Sequence, residues 1–194
     1  SQKGYMIPPG LSFIAMSQKA WEAAEKSNLP KFYLNLKSYR KSLLSNSNPY
    51  TPAVNLVFAL DEALKMMREE GLDNIFLRHN KHKLAMSNAV KALNLKLFAD
   101  EKYLSPSITA IKTEGIDAEE FRKTIKNNFD ILLAGGQDHL KGKIFRVGHL
   151  GYVNDRDIIT VISAISNTLL NLGKITAQQA GEALVVASKC LKDY

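Results

Sequence analysis

The 194-residue sequence has a single cysteine, Cys190, and a single tryptophan, Trp21. One cysteine excludes an internal disulfide and fits a reducing, cytoplasmic compartment. Long apolar runs are also lacking: each hydrophobic stretch is broken by Asn, Lys or Gly before about 18 residues, so no spanning helix is expected. The opening stretch does not read as a signal peptide. No Gly-rich phosphate loop, Ser-His-Asp order or nucleic-acid motif is present, and no fixed-period repeat. Membrane, nucleic-acid and solenoid classes are thereby set aside.

What remains is a globular balance, 45% hydrophobic and 23% charged, with a net charge of +7. The lysines are dispersed among Asp and Glu rather than blocked together, as on a solvated basic surface. The sign also suits phosphate-bearing and carboxylate-bearing small molecules.

Along the chain, LSFIAMS (11–17) predicts a buried strand after the Pro8-Pro9-Gly10 break, followed by a helix over about 17–27. Residues 31–50, rich in Lys, Ser, Asn and Tyr and ending in SNSNPYTP, read as a loop. Val54, Val57, Phe58, Leu60, Leu64 and Met67 recur at helical spacing, predicting one helix over 53–70 and, after Gly71, a second over about 73–93. LKLFA, SITAIKT, DILLAGG and GKIFRVG are strand candidates. Asp117 with Glu120 opens a helix whose buried face is Phe121, Ile125 and Phe129. Two more helices are expected, about 155–172, stopped by Gly173, and one from Thr176 boxed by Gln179. The expected architecture is α/β: residues 71–194 form a small α+β domain with about four strands covered by helices on one side. Residues 1–70 hold one strand and two helices, too little for their own core.

Chemistry concentrates in a few residues. Lys3 lies in SQKG, ahead of the Pro-Pro-Gly break. A lysine amine attacks carbonyls only when unprotonated, a state that burial or a cationic neighbour favours. Arg146 in KIFRVGHLG offers a planar fork for a carboxylate. Most of Gly135, Gly136, Gly142, Gly148 and Gly151 read as turns, and His149 as a packed or capping residue. His79 and His82 lack Cys or acidic partners at ligand spacing, so no metal site is expected.

The order SQKG, PPGL and a serine-ended apolar run, then NPYTPAV before a long helix, then AGGQDHLKGKIFRVGHLGYV, resembles class V aminotransferases. These are fold type I enzymes dependent on pyridoxal 5'-phosphate. The likeness is greatest to alanine–glyoxylate and serine–pyruvate aminotransferases and to sequences labelled soluble hydrogenase small subunit. The resemblance implies that Lys3 holds the cofactor as a Schiff base and moves a proton at the substrate Cα. It implies that Gln2 contacts the cofactor phosphate, and that Thr51 reaches the phosphate of the neighbouring subunit, assisted by Tyr50. Arg146 would grip the substrate carboxylate. Asn48 stands where the family commonly has a tyrosine. Cysteine desulfurases of the same fold use a loop cysteine, whereas Cys190 falls in a predicted helix.

The family's upstream half, with the ring-stacking aromatic, the pyridine-facing aspartate and the phosphate loop, has no counterpart here. The expectation is thus the C-terminal half of an aminotransferase, residues 1–70 ending the large domain and 71–194 forming the small one. It would work as a homodimer with shared sites, with the N-terminal half supplied as another chain or segment. Its substrates would be a small amino acid of the alanine or serine type and a 2-oxo acid such as glyoxylate or pyruvate. Two alternatives are a non-catalytic dimerisation or binding module and a lyase of the same fold.

Overall fold

The computed structural model describes residues 1–192, and Cα proximity divides the chain into two compact units, Ser1–Lys65 and Met66 onward. In the first unit, the Ser17 hydroxyl accepts from the Ala20 amide and starts α1 (Gln18–Lys26). Asn35 does the same for α2 (Leu36–Leu44), accepting from Lys37. These short polar side chains satisfy amides that a helix start leaves orphaned. The long helix α3 (Val54–Glu70) carries on across the unit boundary.

Two expectations fail in this unit. Residues 11–17 form no strand, and Phe13 and Ile14 are 53% and 63% exposed. Their apolar character is that of a strand, but among the described residues no neighbouring strand offers a ladder. Residues 31–50 are not all loop either, because LKSYRKSLL places Leu36, Tyr39 and Leu43 on one helical face behind the Asn35 cap. Only Ile7 and Ala63 are buried apolar residues in Ser1–Lys65.

The second unit has its own core. Here α4 (Leu72–Ala92) leads to β1 (Lys96–Leu97) and β2 (Ile108–Lys112). Next come α5 (Ala118–Phe129), β3 (Ala134–Gly135), β4 (Ile144–Gly148), α6 (Asp155–Asn171) and α7 (Ala177–Lys192). The four strands form an antiparallel sheet in the order β1-β2-β4-β3, as expected in strand number. DILLAGG shrinks to a two-residue edge strand, with Leu132 79% exposed before it.

Alternation in the central pair decides which way each side chain points. Ile111 of β2 and Phe145 and Val147 of β4 enter the core with Phe121, Ile125, Ile158, Ile162 and Ile165. Small residues let α4 and α7 approach closely, Ala85, Ala89, Ala183 and Ala187 each being 1% exposed or less.

The expected caps hold at Asp117, which accepts from the Glu119 and Glu120 amides, and at Thr176, which exchanges bonds with Gln179. Asn154 and Asp157 form a further capping box. Gly173 has a φ of +64° after α6. Phe129, expected inside, is 38% exposed because α5 unwinds beside it at Asp130, whose φ is +54°.

Phe145 is wholly buried and stacks on Phe121, with ring centroids 5.2 Å apart. Replacing it with alanine should destabilise the second unit by about 3–5 kcal/mol in a denaturant titration; a cost below about 1 kcal/mol would contradict this placement of the core.

Candidate functional site

Lys3 begins a single 3-10 turn, Lys3–Tyr5, and its φ is +70°. A non-glycine residue rarely adopts this left-handed backbone, which costs about 1–3 kcal/mol and concentrates at functional sites. Its surroundings hold it there. The Met6 amide donates to the Lys3 carbonyl at 2.9 Å. The Ser1 hydroxyl donates to the Pro8 carbonyl and accepts from the Leu11 amide, both at 3.0 Å, closing residues 1–11 into a loop.

Within the same unit, Gly10 lies so close to the first turn of α3 that a Cβ there would sit 2.5 Å from Leu56 Cδ1. The Lys3 loop is therefore packed on the helix that Thr51 and Pro52 introduce. Thr51 and Asn48 are exposed, while Tyr50 is half-buried and donates to the Phe32 carbonyl at 3.3 Å. Tyr50 also joins an aromatic group with Phe32, Tyr33 and Tyr39. Among the described residues, the side chains of Lys3, Gln2 and Thr51 form no hydrogen bond. All three are exposed, Lys3 and Gln2 offering an amine and an amide and Thr51 a hydroxyl.

Arg146 belongs to the second unit. It lies in β4 opposite Ala110 of β2 and Ala134 of β3, on the face away from Phe145 and Val147. Alanine on both sides leaves room for the long side chain. Its Nε–H donates to the Gly135 carbonyl at 2.8 Å, and among the described residues no carboxylate pairs with it. The guanidinium is fixed at one edge and its terminal nitrogens remain for a ligand.

The segment after β4 is held by α4 through Arg78, which no motif marks, and through His79. Arg78 makes two bonds to Glu70, at 2.6 and 2.9 Å, and gives its Nη1 to the carbonyls of Gly151 and Val153 at 2.8 and 2.9 Å. The guanidinium holds the Glu70 carboxyl below the ordinary carboxylate range, outweighing burial. His79 Nδ1–H donates to the Ile75 carbonyl at 2.7 Å, which leaves Nε2 to accept from the Gly151 amide at 3.2 Å. Gly151 has a φ of +79°, a conformation this turn requires and a Cβ would strain.

His149 is a packed residue, as expected, with no exposed surface. Its Nδ1 faces the Pro106 carbonyl at 3.1 Å and must carry the proton, so Nε2 accepts from the Thr109 hydroxyl at 2.8 Å. His82, also buried, donates from Nε2 to Asp155 at 2.9 Å. Burial lowers its pKa more than that carboxylate raises it. Asp155 is pulled up by burial, but bonds from Lys81 and His82 outweigh this and hold it below the usual range. Among the described residues no three or more His, Cys, Asp or Glu side chains are arranged to hold a metal ion. Cys190 lies within α7, half-buried, its Sγ accepting from the Asn88 amide at 3.2 Å.

This antiparallel α+β unit, entered by a long helix and carrying an arginine on its open face, has the fold of the C-terminal part of fold type I pyridoxal phosphate-dependent aminotransferases. Comparison with known proteins agrees. "Soluble hydrogenase, small subunit" of Synechococcus sp. (strain PCC 6716) is 53% identical over 191 residues, covering 98% of this chain and 50% of that protein. Serine–glyoxylate aminotransferase of Methylorubrum extorquens is 35% identical over 201 residues, covering 100% of this chain and 49% of the relative. Among solved structures, ureidoglycine–glyoxylate aminotransferase from Bacillus subtilis superposes with a TM-score of 0.87 at 28% identity, over 97% of this chain and 50% of that one. The resemblance to class V aminotransferases and to proteins labelled soluble hydrogenase small subunit therefore holds. The chain spans about half the length of the curated relatives it matches. No family model matches it.

The histidine network has a pH consequence. Burial first, and then the neighbouring His82, push the His149 pKa down from 6.5 to about 4. Between those values the unfolded chain binds a proton that the folded chain refuses, so stability falls as pH drops through this window and levels off below about 4. The loss from His149 should be about 3 kcal/mol, with His82 adding in the same direction. Unfolding free energies measured at pH 7, 5.5 and 4 check this: His149→Gln should flatten the dependence, and an unchanged slope in that variant would assign it elsewhere.

Proposed function

We propose that this chain is the C-terminal part of a pyridoxal 5'-phosphate-dependent aminotransferase acting between a small amino acid and glyoxylate or pyruvate. The observation that carries the reading is Arg146, half-buried, oriented by the Gly135 carbonyl and without a carboxylate partner among the described residues. A planar guanidinium held this way offers two parallel charge-assisted bonds to an α-carboxylate, common to amino acid and 2-oxo acid alike. The relatives named for glyoxylate transamination support that substrate class.

In this reading Lys3 holds the cofactor covalently, Gln2 meets its phosphate, and Thr51 with Tyr50 serves the phosphate of a neighbouring subunit in a homodimer. Bound there, the cofactor supplies an electron-withdrawing ring for the substrate Cα. Lys3 Nζ, displaced by the substrate amine, moves the proton from Cα. Arg146 fixes which Cα–H bond is presented. Residues 1–70 complete the large domain and 71–194 make the small one. Phe13, Ile14, Phe32, Leu34, Leu44 and Phe58, all more than half exposed here, are then covered by the N-terminal half and the second subunit. A cytoplasmic location belongs to the same reading.

Borohydride reduction of the cofactor-loaded enzyme, followed by peptide mass spectrometry, should place the cofactor on Lys3. Arg146→Lys should raise KM for both substrates by about 10- to 100-fold, from one or two lost charge-assisted bonds. Label on another lysine, or none, overturns the assignment in favour of a binding module.

A further inference from the structure

Arg146 is not positioned by its own strand alone. Its anchor, the Gly135 carbonyl, lies in a two-residue strand at the sheet edge, too short a ladder to hold the carbonyl firmly. A second arginine pins the same edge: Arg122 of α5 donates from Nε to the Leu133 carbonyl at 2.8 Å and from Nη1 to Glu119 at 2.8 Å. The pair lies directly against the edge strand. A Cβ on Gly135 would come within 2.5 Å of Arg122 Nη1 and 2.7 Å of Glu119 Oε1. A side chain here would have to displace the ends of Arg122 and Glu119. Glu119 Oε1 is meanwhile buried without a hydrogen-bond partner, so the pair is poorly optimised as a stabilising contact.

We propose that the Glu119–Arg122 pair is a positioning device for Arg146, acting through Leu133 and Gly135. The pair seats the edge strand, the Gly135 carbonyl then fixes the plane of the Arg146 guanidinium, and the terminal nitrogens meet a carboxylate without first losing rotamer freedom. This rests on the reading of Arg146 as the carboxylate-binding residue. Supporting a binding side chain with a second layer of fixed groups raises ligand affinity because less freedom is lost on binding, an effect of up to about 10-fold for one long side chain.

The test compares Gly135→Ala, Glu119→Gln and Arg146→Lys in the cofactor-loaded enzyme. In Gly135→Ala the new methyl meets only the flexible ends of Arg122 and Glu119, so it should displace the pair while the fold survives. Both Gly135→Ala and Glu119→Gln should raise KM for amino acid and 2-oxo acid by about 5- to 10-fold with kcat within about twofold. In nitrogen-15 spectra of this chain, the Arg146 Nε–H signal should exchange slowly in the wild type and rapidly in both variants. Unchanged KM in these two, while Arg146→Lys raises it, overturns the proposal and leaves the carboxylate reading standing. A fall in kcat at constant KM also overturns it, as a merely structural effect. If Arg146→Lys leaves KM unchanged, the carboxylate reading itself fails, and the Nε–H exchange alone decides whether the pair orients Arg146.

Discussion

The alternation of β4 is the constraint on which the rest depends. Phe145 and Val147 must enter the core, so Arg146 between them must leave it. A one-residue slip would bury a guanidinium and expose a phenylalanine, which no local rearrangement could offset. Pairing with β2 fixes the register over five residues, Ile108 to Lys112 against Gly148 to Ile144. The same contacts that stabilise the second unit therefore also aim its arginine. Fold and binding chemistry are not separable along this strand.

The segment beyond β4 is fixed by a different means. Residues 149–154 contain one glycine and no strand pairing, and they owe much of their shape to α4. Arg78, tied to Glu70, holds two carbonyls, and His79 takes the Gly151 amide in the tautomer left to it by Ile75. His149 closes the other side on Pro106 and Thr109. The histidines act here as neutral hydrogen-bond parts. Burial lowers the pKa of His149, and of His82 on α4, and a role in proton transfer for these two would conflict with it.

The sequence made the helices of the second unit legible because their signals are local. Ile158, Val161, Ile162, Ile165 and Leu169 repeat at helical spacing, and Thr176 with Gln179 marks the next start. Strand candidates were legible in number but not in extent, since ladder length depends on distant partners: DILLAGG has the composition of a strand and retains two residues of one. LSFIAMS shows the limit most sharply, its pattern being one of burial while Phe13 and Ile14 are exposed and no described strand pairs with it. Lys3, Thr51 and Arg146 stood out through their order with flanking motifs. The supports did not, because Arg78 and Gly151 are 73 residues apart and no local pattern links them. Glu119 and Arg122 gave only an i,i+3 spacing, common on any solvated helix.

The two units differ in how far they can sustain their own chemistry. The second has a contiguous apolar core, and Arg146 is held by a backbone carbonyl belonging to that unit. In the first, two buried apolar side chains cannot offset the entropy of ordering sixty-five residues. Yet this unit bears Lys3, on a strained backbone and exposed. A lysine that works as a nucleophile and proton carrier needs desolvation, which the exposed Lys3 side chain lacks. Phe13, Phe32 and Phe58 of the same unit are exposed as well. Under the proposed function, one event, burial of the first unit's exposed surface, would cover these rings and remove the Lys3 amine from water. In that same proposal, carboxylate recognition would rest on the second unit alone, whereas cofactor chemistry would need the first unit covered.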